Sequence, residues 1–330
     1  MNRKSELAQR LAENGQEHVL HFWPSLSQQE RKSLESQIAR IPFPLVNRLV
    51  ERWLLNEPRR EHFARVEPIK TIPAVNPRRP DAREARDAGE EVLRRGQVGL
   101  LLVAGGRGSR LGFPEPKGAY PIGPVSRKSL FAYHAEKIHN LRHRYACVLP
   151  WYIMVSPSNA EPTHAFFEAN DFFGLERRNV RFFCQGAMPC VDKSGKFLLE
   201  APHRIAMNPN GHGGCIPALA EEGVLAECEE RGVNLLSYFQ VDNWAVQVAD
   251  PYFIGYHVLR QAQMSSKVHR RHDPLEPVGV HCLCDGQYRV IEYTAFDVYP
   301  QLLELTSDGT PKYYPGNSAI HILTTSFIAK

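Results

Sequence analysis

The 330-residue chain carries 40 Lys and Arg against 36 Asp and Glu, a formal charge of +4, with 43% hydrophobic and 23% charged residues. This is ordinary globular usage, which excludes a disordered chain, and the length suits about two domains. The mild basic balance fits small anionic ligands and lacks the clustered basic face of a nucleic-acid binder. No apolar run reaches membrane-spanning length and the polar start MNRKSELAQRLAENGQE has no signal-peptide character, so neither a nucleic-acid nor a membrane partner is expected. Seven cysteines, an odd number spread from Cys147 to Cys284, read as thiols of a reducing compartment and suggest a cytoplasmic protein. Cys282 and Cys284 fall on one face of a strand, where packing is favoured over metal binding.

Residues 1–95 read as helical and polar. Leu7, Leu11, Val19, Leu20 and Phe22 recur near helical spacing, SLSQQERKSLESQIARI opens on a serine cap, Pro42 and Pro44 interrupt, and LVNRLVERWLL resumes. Arg78, Arg79, Arg83, Arg86, Arg94 and Arg95 are interleaved with acidic residues, the pattern of a solvated helical surface. Residues 1–95 are therefore a helical N-terminal extension, followed by a core over 96–330.

The core opens on VGLLLVAGGRGSRLGFPEPKGAYPIG, residues 98–123. Val98–Val103 is a glycine-bounded apolar run, the pattern of a strand buried on both faces. Ala104, Gly105, Gly106 and Gly108 remove side-chain bulk where that strand ends, so backbone N–H groups can approach an anion. Arg107 and Arg110 add guanidinium donors suited to phosphate, and Pro114 and Pro116 stiffen the segment carrying Lys117. The dinucleotide fingerprint fails because its third glycine falls on Leu111, and a P-loop fails because Gly118 follows Lys117.

Next come an amphipathic helix (SLFAYHAEKIHNLRHRY), a buried strand (WYIMVS), a helix over 163–173 and a strand (NVRFFCQG). This alternation predicts a doubly wound, Rossmann-like α/β core with a mixed, mainly parallel sheet and ligands beyond the carboxyl ends of its strands. Gln185 falls at such an end. Asn208–Gly214, with three glycines in four positions and His212 between them, opens an apolar helix and allows close approach to a flat base. Leu235–Val241 forms a further strand with Asp242 and Asn243 just beyond it, where a carboxylate can hold Mg²⁺ together with substrate phosphates. Asp250 before Pro251 reads as a helix cap. PVGVHCLCDGQYRVIEY reads as a hairpin around Asp285-Gly286.

The run from Val103 through Ala104, Gly105, Gly106, Gly108, Ser109, Arg110, Leu111 and Gly112 to Pro116-Lys117-Gly118 resembles the signature of the sugar nucleotidyltransferases, most closely the eukaryotic-type UDP-N-acetylglucosamine pyrophosphorylases. GQEHVLHFW, Phe183-x-Gln185-Gly186-x-x-Pro189, the Asn208–Gly214 loop, Val241-Asp242-Asn243, Val248-Ala249-Asp250-Pro251 and Gly316-Asn317 extend it over nearly the whole chain. The resemblance implies a uridylyltransferase that makes UDP-N-acetylglucosamine and pyrophosphate from UTP and N-acetylglucosamine 1-phosphate. Arg110 and Lys117 are then catalytic. Val103, Ala104, Gly105, Gly106, Lys117, Gln185, Gly211 and Asp242 bind the nucleotide. His212, Asn243, Gly279, Glu292, Tyr293 and Asn317 face the sugar, and Asp242 holds Mg²⁺. His212 departs from the family's asparagine, which bears on sugar choice, and the resembling enzymes continue into a small C-terminal domain. Lys267 matches a family lysine, with a surface role weighed equally. The alternatives are the same reaction on glucose or galactose 1-phosphate, or a truncated nucleotide-sugar-binding module without catalysis.

Overall fold

The computed structural model describes residues 3–56, 62–72, 76–106 and 112–330. Packing divides the chain into two units, Met1–His62 with Gly186–Gly211, and Phe63–Gln185 with His212–Lys330. This differs from the 1–95 and 96–330 division read from the sequence. Residues 63–95 pack with the larger unit, and a central excursion packs with the N-terminal helices.

The smaller unit holds α1 (Arg3–Glu13), α2 (Gln28–Arg40) and α3 (Phe43–Val50). Ser27 and Glu30 form a reciprocal capping box at the start of α2, and Pro44 sits in the first turn of α3, where its missing N–H costs nothing. Leu11, Val19, Leu34, Ile38, Phe43 and Val46 form a core with Phe197 and Ile205 from the excursion. Buried Gln16 seals this join, donating from Nε2 to the Gly195 carbonyl (2.9 Å) while its Oε1 accepts from the Phe197 N–H (2.8 Å). Phe22, grouped with the apolar stripe in the sequence, is exposed.

The larger unit is built on a nine-stranded sheet: β1 (Val66–Pro68), β2 (Val98–Val103), β3 (Trp151–Val155), β4 (Val180–Cys184), β5 (Leu235–Gln240), β6 (Met264–Arg270), β7 (Val280–Cys284), β8 (Gln287–Ile291) and β9 (Pro315–Thr324). Its main order is β1-β7-β9-β5-β2-β3-β4, with β6 paired to β9 and β8 to β7. β5, β2, β3 and β4 run parallel; every other pairing is antiparallel. The expected mixed sheet is present, and its parallel part is four strands. From β2 the chain goes outward to β3 and β4, then returns to place β5 on the other side of β2. That reversal is a topological switch point, where a crevice opens beyond the strand ends.

The helices of this unit are α4 (Pro80–Arg94), α5 (Leu130–Tyr145), α6 (Ala160–Ala169), α7 (Cys215–Glu221), α8 (Val224–Glu230), α9 (Pro251–Leu259) and α10 (Thr325–Ile328). All six residues of β2 are buried, as the apolar run requires. Arginines on and just after α4 pair with nearby acids, Arg86 with Asp87, Arg94 with Glu90 and Arg95 with Glu91. α4 and α9 touch backbone to backbone: a Cβ on Gly255 would lie 1.5 Å from the Ala85 carbonyl oxygen.

The helix expected over 163–173 ends at Ala169. Asp171, Phe172 and Phe173 turn left-handed with φ near +50°, which drops both phenylalanines onto Phe167 (centroids 6.0 and 5.1 Å). Aromatic burial offsets the strain. Asp285 and Gly286 adopt the positive φ of a tight hairpin turn. Cys282 and Cys284 are buried on one face with sulfurs 3.6 Å apart, as packing groups.

Candidate functional site

β2 delivers its chain to the crevice at Ala104. The Ala104 N–H still donates to the Met154 carbonyl of β3 (2.9 Å), but the carbonyls that follow leave the sheet. Asn159 receives them: its Nδ2 donates to Ala104 O (2.8 Å) and Gly106 O (3.3 Å), and its Oδ1 accepts from the Ser156 N–H (2.8 Å). Asn159 is 2% exposed. It stands at the cap position of α6 yet makes no capping bond to that helix. Sequence reasoning missed this residue; an Asn before a helix is an ordinary cap signal, and the two carbonyls it holds lie more than fifty residues away.

Gln185 follows β4 as expected, buried, with its N–H donating to Val155 O (2.9 Å). A Cβ on Gly105 would lie 3.0 Å from Gln185 Nε2, so the glycine lets the amide lie against the loop. Val103 is buried, and its carbonyl accepts from Val241 N (3.1 Å), tying this loop to the one after β5. Arg107 and Arg110 lie outside the described residues.

Lys117 opens a single helical turn, Lys117–Ala119, behind Pro116. Its N–H donates to Gly106 O (3.3 Å), and a Cβ on Gly118 would lie 2.1 Å from the Phe131 ring. The side chain crosses to the loop after β5, where Nζ meets Asp242 Oδ2 at 2.8 Å. Both groups remain solvent-accessible, 27% and 48% by side chain. The two residues singled out as phosphate cation and metal carboxylate, 125 positions apart, thus meet at the switch point. Asn243 stays in the same turn, its N–H donating to Gln240 O (3.2 Å).

His212 reaches this edge too. Gln240 Nε2 is 3.4 Å from His212 Nε2, so the imidazole nitrogen accepts from the amide and lies close to the end of β5. Gly211 closes the smaller unit with φ +82°.

Four of the residues expected at the sugar, Gly279, Glu292, Tyr293 and Asn317, lie on the antiparallel half. β9 runs antiparallel to β5, which brings its Asn317 end to the edge where β5 stops. Asn317 N–H donates to Gly279 O (2.8 Å), and a Cβ on Gly279 would sit 3.0 Å from Glu292 Oε1. Gly279, Glu292 and Asn317 therefore form one group, with exposed Tyr293 adjoining it. His281, not singled out in the sequence, lies beside Asn317; burial pushes its imidazole pKa down, partly opposed by a hydrogen bond with the Asn317 side chain. Lys267 pairs instead with Asp250 (2.5 Å), whose other oxygen caps α9 by accepting from Tyr252 N (3.0 Å).

Among the described residues no three His, Cys, Asp or Glu side chains converge as a metal cage, no disulfide forms among the seven cysteines, and no helix is long and apolar enough to cross a membrane.

Residues 46–318 match the family model described as UTP–glucose-1-phosphate uridylyltransferase. The human UDP-N-acetylhexosamine pyrophosphorylase-like protein 1 is 37% identical, over 99% of this chain and 67% of its own length. UDP-N-acetylglucosamine diphosphorylase 2 of Arabidopsis thaliana is 35% identical over 98% of this chain and 67% of its own. The uridine diphosphate N-acetylglucosamine pyrophosphorylase of Trypanosoma brucei, solved with an inhibitor, superposes with a TM-score of 0.85 at 29% identity, covering all of this chain and 68% of that one. The chain thus spans about two thirds of the length of these relatives. With the strand-end loops assembled at the switch point and the family match running through them, the chain belongs to the UTP–glucose-1-phosphate uridylyltransferase family.

Proposed function

We propose that this protein is a nucleotidyltransferase that transfers the uridylyl group of UTP to N-acetylglucosamine 1-phosphate, releasing pyrophosphate and forming UDP-N-acetylglucosamine. The Lys117–Asp242 contact at 2.8 Å carries this reading, because it joins the glycine loop to the loop after β5 at one reacting point. The relatives named for this aminosugar chemistry support the choice of substrate.

Both substrates are polyanions, so bringing them together and neutralising their charge is the main obstacle. The backbone at Gly105 and Gly106, held by Asn159 and packed against Gln185, offers N–H groups to phosphate oxygens. Lys117 neutralises charge on the α-phosphate and the attacking group, and Arg110 is assigned the β- and γ-phosphates. The attacking oxygen belongs to an already ionised sugar phosphate, so no general base is needed. It forms a bond to the α-phosphorus as the bond to the pyrophosphate oxygen breaks. Asp242 fits Mg²⁺: an accessible carboxylate, with no convergent protein cage among the described residues, suits an ion that takes one or two carboxylates and completes its shell with water and phosphate. When bound there, Mg²⁺ supplies further neutralisation of polyphosphate charge. Glu292 and Asn317 present acceptors and donors to sugar hydroxyls, and exposed Tyr293 offers a ring face. We assign Gly211 and Gln185 to the nucleotide, and His212, Asn243 and Gly279 to the sugar. We place the enzyme in the cytoplasm, a setting in which cysteines stay reduced.

The same transfer to glucose or galactose 1-phosphate is the second reading, and His212 favours it by standing where the resembling enzymes carry asparagine. Pyrophosphate release from UTP and Mg²⁺, measured with each sugar phosphate in parallel, tests both. Release with the aminosugar far above the others supports the first reading; the reverse order supports the second. UTP binding without release on any sugar would leave only a binding module.

A further inference from the structure

The first turns of α5 touch both sides of the Lys117–Asp242 pair. Phe131 fills the space that a side chain at position 118 would need, next to Lys117. One turn on, His134 Nε2 donates to the carbonyl of Val241 (3.0 Å), the residue before Asp242. One turn further, Lys137 Nζ donates to the carbonyls of Trp244 and of Val246 (3.0 Å for the latter). Positions 131, 134 and 137 follow the three-residue spacing that keeps side chains on one side of a helix. Ser129 caps that helix by accepting from Ala132 N (3.2 Å), and Leu130 N–H donates to Tyr120 O (3.1 Å), so its start is fixed to the segment carrying Lys117.

Lys137 is the unusual member. Its ammonium is half-buried, and no Asp or Glu pairs with it among the described residues. Burial pushes its pKa down. An ordinary surface lysine at this site could leave its charge in water at no cost. Here the charge is spent on two main-chain carbonyls of the turn that presents Asp242, and hydrogen bonds from a charged donor are the stronger kind. His134 is fully buried, and burial keeps its ring neutral with a pKa lowered to about 4, so its Nε2–H persists as a donor at neutral pH.

We propose that Lys137 and His134 are positioning residues, and that α5 sets the placement of Asp242 relative to Lys117. The catalytic side of this proposal rests on the uridylyl-transfer reading; the clamp itself does not. The test is amide hydrogen exchange on the wild-type chain and on Lys137→Met, which keeps the apolar stem, with turnover measured on the same samples. Exchange at Asn243, Trp244 and Val246 should rise at least about tenfold, the size expected when hydrogen bonds from a charged donor are lost, while Val98–Val103 exchange as before. In Lys137→Met, kcat should fall about tenfold or more with KM for UTP within about twofold. Lys137→Arg, which retains a cation able to reach both carbonyls, should restore slow exchange and most of kcat. Unchanged exchange in Lys137→Met overturns the clamp. Faster exchange with unchanged kcat overturns the positioning role. A wild-type protein without turnover refutes the uridylyl-transfer reading alone, since exchange at the 243–246 turn still decides the clamp.

Discussion

Asn159 offers the sharpest separation between holding the phosphate loop and touching the substrate. Its amide group holds main chain on both sides: Ala104 O and Gly106 O receive Nδ2, and Oδ1 accepts from the Ser156 N–H and also from the Ser156 hydroxyl (3.0 Å). Asn159→Ala strands one buried donor and the carbonyl of Ala104, and each stranded buried group costs about 1–3 kcal/mol. A loss of about 3 kcal/mol is expected, which in a unit of this size lowers Tm by roughly 6–12 °C. Asn159→Asp is the more telling change. It keeps the acceptor for Ser156 and replaces the donor with an oxygen facing two carbonyl oxygens, so repulsion falls on the loop and the start of α6 is spared. Thermal unfolding should therefore place Asp near or below Ala, and affinity for UTP should drop at least about tenfold in both. If Asn159→Asp unfolds and binds UTP as the wild type does, the loop is not held by this amide and the argument fails.

Three further outcomes are expected. Lys117→Ala should lower kcat by roughly two to three orders of magnitude, as removal of one preorganised electrostatic donor does elsewhere, with Tm nearly unchanged because the pair it leaves is solvent-accessible; near-normal turnover would remove Lys117 from the reaction. Gly255→Ala drives a methyl into the Ala85 carbonyl of α4 and should destabilise by about 1–3 kcal/mol or more, visible as a lower urea midpoint, whereas an unshifted midpoint would mean the two helices separate freely. Acid should destabilise the fold: burial lowers His134, His257 and His321 to about 4 from 6.5, so the unfolded chain binds protons first, and stability present above pH 6.5 is lost as pH falls toward 4. His134 alone contributes about 3 kcal/mol of that loss, and a urea midpoint flat between pH 7 and 4.5 would contradict it.

What the sequence discloses is what punctuates the chain. β2 is legible to the residue because an apolar run ends in glycines; Asp250 is legible as a cap because Pro251 follows it. The loops carrying Gly105, Lys117 and Asp242 are readable for the same reason, and their meeting follows once β2 and β5 are taken as parallel neighbours. Other features depend on partners that no local pattern announces. Asn159 has the sequence of a cap and serves a loop on another strand. His134 and Lys137 read as two positions of an amphipathic helix, and only the turn lying against them gives them a task. The excursion 186–211 reads as loop and short strand, yet Phe197 and Ile205 complete the core begun by Leu11 and Ile38. Phe172 and Phe173 continue a helical pattern that tertiary packing overrides.

The sheet explains why the two classes of candidate residue fall where they do. Parallel strands all end at one edge, so β2, β3, β4 and β5 supply loops to a common crevice, and the glycine loop after β2 is backbone-rich and suited to phosphates. Antiparallel strands alternate direction, so the other half reaches the same edge only where β7 and β9 begin and β8 ends, which is where Gly279, Asn317 and Glu292 stand. Side chains arriving from strand ends carry hydroxyl-binding groups more readily than a glycine loop can. In the proposed function, the change from parallel to antiparallel between β5 and β9 is therefore also the boundary between a proposed nucleotide side made mainly of main chain and a proposed sugar side made of side chains. On that argument, substitutions that change sugar choice should concentrate on β7 to β9 and at His212, whose imidazole meets Gln240 at the end of the last parallel strand, and those that abolish all turnover should concentrate on the loops after β2 and β5.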